Sequence, residues 1–587
     1  MTIPTSQSRR SVSIVIAGEA GQGIQTIEYL LAKILKLEGY HVFACKEYMS
    51  RIRGGANSTE IRVAADRVAA YAEGIDLLVP LDKGALSHLQ KRITPETVIL
   101  GEAAALNATE PVLDIPFSAV AQSAGNKLYA NSVASGAVAG IMGASFETVS
   151  SQLESYFASK SREIIDGNIE AARGGFEAGL ALVSAGKVSF SLPKDPAIAG
   201  ELILNGSEAA ALGAVAGGCD FISSYPMSPG TGVLTYLSQY AARFGIVAEQ
   251  VEDEIAAFNM ALGAWYAGAR AMVSTSGGGF ALMTEAVSLA GMIESPMVIH
   301  LAQRPGPATG LPTRTEQGDL ELVLYAGHGE FPRIILTPRS IAEAFYLTQH
   351  AFNLADRYQA PVFLLTDQFL VDSFANLSEL KLDGLRVERQ VIKTNPSYRR
   401  YELTGDGISP RGIPGFGDGL VGVDSDEHDE FGHITEDLEL RVKMVDKRLR
   451  KLERIKNNTI PPYLNGDPDY QTLVIGWGST FHAIAEALGI LQRPGVAHLH
   501  FSQVYPLPPA TTDYLNRAGR IILIENNATG QFGKLIRQET GICYDERILK
   551  YDGMPFSVEE LVSGLAQLIP EQIQNGNGGE TDGSQRV

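Results

Sequence analysis

Four short segments concentrate residue types suited to holding an anionic or nitrogenous ligand. Residues 223–232 read SSYPMSPGTG, with Pro226 and Pro229 three apart and Ser228 directly before the second. Proline fixes φ and removes an N–H, and it pushes the preceding residue out of the helical region, so this is a stiffened loop. Such a loop keeps the Ser228 hydroxyl and nearby backbone N–H groups in place, which is preorganisation rather than packing. In VEDEIAAF, Glu254 stands just ahead of the apolar Ile255, Ala256 and Ala257. A carboxyl drawn out of water there has a raised pKa and can share a proton with a ligand nitrogen. VSTSGGGF places glycines at 277–279 after a strand-like run, and Arg304 ends VIHLAQ ahead of PGPATGLPT, which carries the hydroxyls Thr309 and Thr313. A guanidinium forks onto a carboxylate through paired hydrogen bonds. The structural alternatives are a plain turn, a dipole-pairing helix cap and a solvated loop arginine.

A second glycine-rich turn lies near the N-terminus. GEAGQG sets Gly18, Gly21 and Gly23 between the apolar SVSIVIAG and a helical run in which Ile27, Leu30, Leu31 and Ile34 recur at helical spacing. Backbone N–H groups there can face a phosphate. The order G-x-x-G-x-G is not the dinucleotide fingerprint, which counts against a nicotinamide- or flavin-dependent dehydrogenase. SRIRGG adds Arg51 and Arg53 beside Gly54 and Gly55. Two GDG triplets, 405–407 and 417–419, lack an Asn pair at the distance a diphosphate–magnesium loop needs, since Asn457-Asn458 is too far along, and they read as loop coincidences. The acidic and histidine-rich DSDEHDEFGH, 424–433, reads as a solvated loop with Thr435 capping the next helix rather than as a metal site.

The elements that must position these groups are alternating strands and helices. At 587 residues the chain is too long for one core, and roughly three domains are expected. Alternation of apolar helical and strand-like runs predicts an α/β fold with parallel sheets. The expected division is 1–188, 198–390, a connecting arm 391–466, 467–572, and a disordered tail 573–587. The arm's charged helix has Leu438, Val442, Val445 and Leu449 on one stripe, the predicted buried face. With 48 Lys+Arg against 67 Asp+Glu, net −19, neither nucleic acid nor an anionic membrane is the expected partner, and a cytoplasmic protein is expected. Three scattered cysteines, Cys45, Cys219 and Cys543, provide no iron–sulfur or structural zinc site, so the metal expectation is none.

These segments together resemble the 2-oxoacid:ferredoxin oxidoreductases, in the form whose α subunit carries a γ-type domain in front. GEAGQG and RIRGG resemble the Rossmann-like γ domain. YPMSPGTG, EDEIAA, TSGGG and QRPGPATGLPTRTEQGDL resemble the pyrimidine-binding domain of thiamine diphosphate, and VIGWGST, YPLPP and ENNATGQ resemble the transketolase C-terminal-like domain. The resemblance implies CoA-dependent oxidative decarboxylation of a 2-oxoacid, 2-oxoglutarate first and pyruvate or a branched 2-oxoacid next, with reduction of ferredoxin; a non-catalytic scaffold subunit is the rival. It implies catalytic roles for Glu254, Ser228 and Arg304, with Glu254 at the pyrimidine N1′. Tyr225, Ser228, Arg304 and Thr313 are implied on the substrate, and Pro226, Glu254, Gly277 and Gly278 on the cofactor. Gly21, Gly23, Arg51 and Arg53 are the implied coenzyme A contacts, and Arg314 is a candidate for a second substrate carboxylate. A β subunit is implied to hold the diphosphate, Mg²⁺ and a 4Fe–4S cluster and to pass electrons to ferredoxin, in an α2β2 assembly.

Overall fold

The computed structural model describes residues 10–49, 55–108 and 110–571. Arg51, Arg53 and the tail 573–587 lie outside them. The fold is α/β, with three sheets that exchange strands. The first runs in the order Val112–Asp114, Val98–Gly101, Leu77–Pro80, Ser11–Glu19, Ala56–Ala64, His41–Glu47, Phe374–Leu377, Leu202–Asn205. Its last two strands come from the chain's second block and pair antiparallel, Phe374 opposite both Ala44 and Asn205. Helix Ile24–Leu37 buries Ile27 and Leu31 against this sheet and Leu30 and Ile34 against the helices Ala130–Ile141, Phe146–Tyr156 and Arg162–Ser184, so their helical spacing is used on two faces.

The central sheet runs Gln503–Tyr505, Ile334–Leu336, Pro361–Asp367, Met297–Gln303, Ala271–Thr275, Phe221–Ser224, Val247–Gln250. All neighbours are parallel except Gln503–Tyr505, which the third block lends antiparallel to the edge. After Phe221–Ser224 the chain steps outward to Val247–Gln250 and then back across to Ala271–Thr275. That reversal opens a crevice at the carboxyl ends of the strands, the usual ligand position in such sheets. The third sheet, Tyr463–Gly466, Val496–Phe501, Thr472–Trp477, Arg520–Glu525, Glu546–Leu549, shares one continuous apolar core with the central sheet. No helix among the described residues is long and apolar enough to cross a membrane.

The arm differs from its sequence reading. In helix Leu438–Lys456, Leu438 and Val442 are 80% and 58% exposed, while Lys447 and Lys451 are buried. The reason is Glu294, fully buried at the end of a core helix. Lys447 Nζ lies 2.5 Å from its Oε1, and Lys451 pairs with Oε2. Burial opposes the charge on Glu294, but Lys451, Lys447 and Arg400 together hold its carboxyl far below the usual range. The lysine stems cover apolar surface while their charges stay paired, which no hydropathy pattern registers. Asp437, not Thr435, caps this helix, accepting from the N–H groups of Glu439 and Leu440. The acidic loop serves the same anchoring, since Glu427 binds Arg448 and Arg441. The GDG glycines permit close backbone approach: Gly407 abuts Lys447 O and Gly417 abuts Thr394, both at positive φ.

Glu294→Gln leaves two buried ammonium groups without a counter-charge. We expect a loss on the order of 3 kcal/mol, read as a lower thermal midpoint with faster amide exchange along 438–456. An unchanged midpoint and exchange pattern would show that the cluster does not hold the arm.

Candidate functional site

Four loops leave the carboxyl edge of the central sheet and meet over its crevice. The first, 225–230, exposes Tyr225 and Ser228 and buries Pro229 and Gly230. A hydroxyl–imidazole chain pins it from below. Ser274 Oγ donates to Gly230 O at 2.6 Å and lies 2.8 Å from His300 Nδ1, while His300 Nε2 lies 2.9 Å from Thr366 Oγ1. Burial pulls the His300 pKa down to about 4, so the ring is neutral, and Ser274's committed hydrogen places the imidazole proton on Nδ1. Three strands thus fix one loop.

The second loop delivers Glu254. Asp253 caps helix Glu254–Tyr266, its side chain accepting from Ala256 N at 2.7 Å, and this turns Glu254 inward. The residue is only 3% exposed, and its Oε1 is sealed from solvent with no hydrogen-bond partner among the described residues. Burial, together with Asp253, raises its pKa against the opposing effect of its own backbone N–H.

The third loop is the glycine turn that opens helix Gly277–Met292. A methyl group built on Gly279 would stand 2.4 Å from Glu254 Oε1 and 2.3 Å from Thr275 Oγ1. One built on Gly277 would stand 2.4 Å from both carboxylate oxygens of Asp319. Gly279 N donates to Met227 Sδ at 3.1 Å, and Gly278 faces that same sulfur and Ala308 O. The glycines let two carboxylates and the proline loop close onto one helix terminus.

The fourth loop begins at Arg304. It is buried at the end of Met297–Gln303 and its Nη1 donates to Ser228 O at 2.6 Å. Leu311 N donates to Pro305 O at 3.1 Å, so the excursion folds back on itself before Thr313. The return limb is clamped by the third block. Gln317 N donates to Asn526 O, Asn526 N to Gln317 Oε1, Gln317 Nε2 to Trp477 O, and Gln531 Nε2 to Gly318 O, all at 2.6–3.0 Å.

The structure therefore brings Glu254, Ser228, Arg304, Gly277 and Gly278 to one crevice, with Tyr225 and Pro226 on its rim. Thr313 is buried one step away, in a cleft of about 30 Å³ that it lines with Lys46, Glu47 and Phe369. Arg314 there is ion-paired to Glu47 at 2.6 Å. Against burial, His88 and Arg314 hold Glu47 down at about 2, so this guanidinium is already engaged. Gly21 and Gly23 lie in the turn before Ile24–Leu37, where Asn131 Nδ2 donates to Gln22 O and crowds Gly23. Sequence reasoning placed Gly279 in the glycine turn without a role of its own and missed Ser274, His300 and Asp319. For Ser274 and His300 the available signal was polar residues inside otherwise apolar strands.

Known proteins resemble this chain over nearly its whole length. Residues 212–447 match the family model described as pyruvate flavodoxin/ferredoxin oxidoreductase, thiamine diP-bdg, and residues 13–178 match that of pyruvate ferredoxin/flavodoxin oxidoreductase. The α subunit of 2-oxoacid:ferredoxin oxidoreductase 2 from Aeropyrum pernix is 31% identical, over 95% of this chain and 98% of its own. The 2-oxoglutarate synthase subunit KorA of Archaeoglobus fulgidus is 30% identical over 62% of this chain and 98% of its own. The structure of 2-oxoglutarate:ferredoxin oxidoreductase from Magnetococcus marinus, with 2-oxoglutarate, coenzyme A and succinyl-CoA bound, superposes with a TM-score of 0.89 at 30% identity, covering 96% of this chain and all of that one. The chain belongs to the 2-oxoacid:ferredoxin oxidoreductase α-subunit family.

Proposed function

We propose that this α subunit holds the aminopyrimidine half of thiamine diphosphate against Glu254 and the carboxylate of a 2-oxoacid against Arg304. The observation that carries the reading is Glu254 Oε1, buried and without a hydrogen-bond partner among the described residues, where a side chain on Gly279 would collide with it. A carboxyl kept from water and raised in pKa suits a ring nitrogen that shares its proton, so the residues fit the group. Thiamine diphosphate, when bound, supplies the nucleophile and the electron sink for loss of CO2. Glu254 holds or returns a proton at the ring nitrogen. Arg304, fixed by Ser228 O, presents its remaining donors to the substrate carboxylate, and the Ser228 hydroxyl and Tyr225 close on the oxo group.

The crevice is open on one side, and exposed Tyr225, Ile255, Leu282 and Leu311 stand around its loops and helices. Apolar side chains exposed around a site mark a protein partner. We take that partner to be a β subunit that grips the diphosphate and Mg²⁺, carries a 4Fe–4S cluster and passes electrons to ferredoxin, with coenzyme A as acceptor of the acyl group. 2-Oxoglutarate is the preferred substrate, supported by the KorA relatives and by the Magnetococcus marinus structure. A smaller 2-oxoacid is the second reading, favoured by the engagement of Arg314 with Glu47.

Viologen reduction by the copurified complex, with CoA and a panel of 2-oxoacids, tests the assignment. We expect turnover with 2-oxoglutarate foremost; no turnover with any of them defeats it. Glu254→Gln should lower kcat by about 10²–10⁴-fold with assembly intact, whereas a scaffold subunit would lose nothing. Gly279→Ala should displace the Glu254 carboxyl and weaken thiamine diphosphate binding by at least about tenfold, measured by titration of the stripped complex. Unchanged affinity would show that the cradle is not the pyrimidine site.

A further inference from the structure

His300 is fully buried in the middle of a strand, and the proposed chemistry assigns it no task. Its strand, Met297–Gln303, leads straight into Arg304, so the imidazole and the guanidinium ride on one rigid element. Both reach the proline loop. Arg304 Nη1 donates to Ser228 O at 2.6 Å. His300 reaches Gly230 through Ser274, 2.8 Å from Nδ1 to Oγ and 2.6 Å from Oγ to Gly230 O. The hydrogens in this chain run one way. Thr366 Oγ1 donates to His300 Nε2, the Nδ1–H donates to Ser274 Oγ, and Ser274 donates to Gly230 O. A methyl group built on Gly230 would stand 2.5 Å from Thr275 O, so the loop is seated directly on the strand that carries Ser274. The strand of His300 also fixes the far limb of the arginine loop. Gln303 Nε2 donates to Thr366 O, and Gln303 Oε1 accepts from Asp319 N, both at 3.0 Å.

We propose that His300 is a positioning residue for the 2-oxoacid: acting through Ser274, it holds Ser228 and Arg304 in the one mutual arrangement that receives the substrate's oxo group and carboxylate. Without the Nδ1–H, the Ser274 hydroxyl is free to turn away from Gly230 O. The loop then gains freedom, and Ser228 O no longer aims the guanidinium in a single direction. Ordering such groups when the ligand arrives costs affinity that a fixed frame retains. The effect falls on substrate binding, because Glu254 is set by Asp253 and Gly279 instead. The inference rests on Arg304 as the carboxylate site.

The test is steady-state kinetics of the copurified αβ complex, with CoA, viologen and the 2-oxoacid it turns over fastest. Ser274→Ala and His300→Leu should each raise the KM for the 2-oxoacid on the order of tenfold. Their kcat and thiamine diphosphate affinity should stay within about threefold of wild type, the split expected when only substrate binding is lost. An Asn amide reaches the place of Nδ1, whereas a Gln amide reaches that of Nε2. His300→Asn should therefore bring KM back to within about threefold of wild type, and His300→Gln should not. The double variant Ser274→Ala/His300→Leu should raise KM no further than Ser274→Ala alone, because both changes act on one bond. A histidine that merely fills the core would instead lower the thermal midpoint, leave KM unchanged and add its own effect in the double variant. Unchanged KM in Ser274→Ala or His300→Leu, additive effects in the double variant, or equal KM in His300→Asn and His300→Gln overturns the inference. A raised KM in Arg304→Gln keeps the Arg304 reading standing in each of those cases. If His300→Leu fails to assemble, Ser274→Ala and the contrast between Asn and Gln at position 300 decide. A wild-type KM in Arg304→Gln overturns the Arg304 reading and this inference with it.

Discussion

A carboxyl oxygen, Glu254 Oε1, buried without a hydrogen-bond partner among the described residues is the constraint around which this crevice is organised. Glu254 enters the interior because Asp253 caps its helix, and it fits only because Gly279 has no side chain. An ionised group there would be costly, so the site favours a neutral acid or one paired to a ligand. Everything else near it is immobilised. His300 and Ser274 pin the proline loop, Arg304 ties that loop to the next strand, and Gln317 ties the arginine loop to the third block. Fixed donors and acceptors need no reorganisation when a ligand arrives, which is the physical advantage of so rigid a frame.

The same rigidity extends across the chain's three blocks. The third block lends Gln503–Tyr505 to the central sheet, and the central block lends Leu202–Asn205 and Phe374–Leu377 to the first. Glu294 then fastens the arm through two lysines. Strand exchange and a buried ion cluster couple the blocks more firmly than a polar domain interface would. Loop positions at the crevice are therefore set from all sides: Glu47 of the first sheet reaches Arg314, and Asn526 of the third reaches Gln317.

Much of this was legible in the residues. Proline and glycine punctuation located the loops at strand ends, and apolar runs located the strands that carry them. Glu254 and Arg304 stood out because each charged residue adjoins an apolar run. The crossing strands did not, since LILN and FANL are too short and too mixed to reveal which sheet they join. Pairing across a hundred residues or more is a tertiary outcome that local pattern does not encode. The arm helix misled for a related reason. The apolar stripe drew the eye away from Lys447 and Lys451, whose burial only the distant Glu294 makes favourable. Asp319 was hidden in a loop whose neighbours, Gln303 and Gly277, come from other elements.

The most direct measurement is an experimental structure of the αβ complex with thiamine diphosphate and a non-decarboxylating 2-oxoacid analogue. The account predicts a Glu254 carboxyl oxygen about 2.7 Å from the pyrimidine N1′ and the analogue's carboxylate on Arg304, both at ordinary hydrogen-bond distance. A pyrimidine ring bound elsewhere, with Glu254 still facing only Gly279 and Thr275, would contradict it.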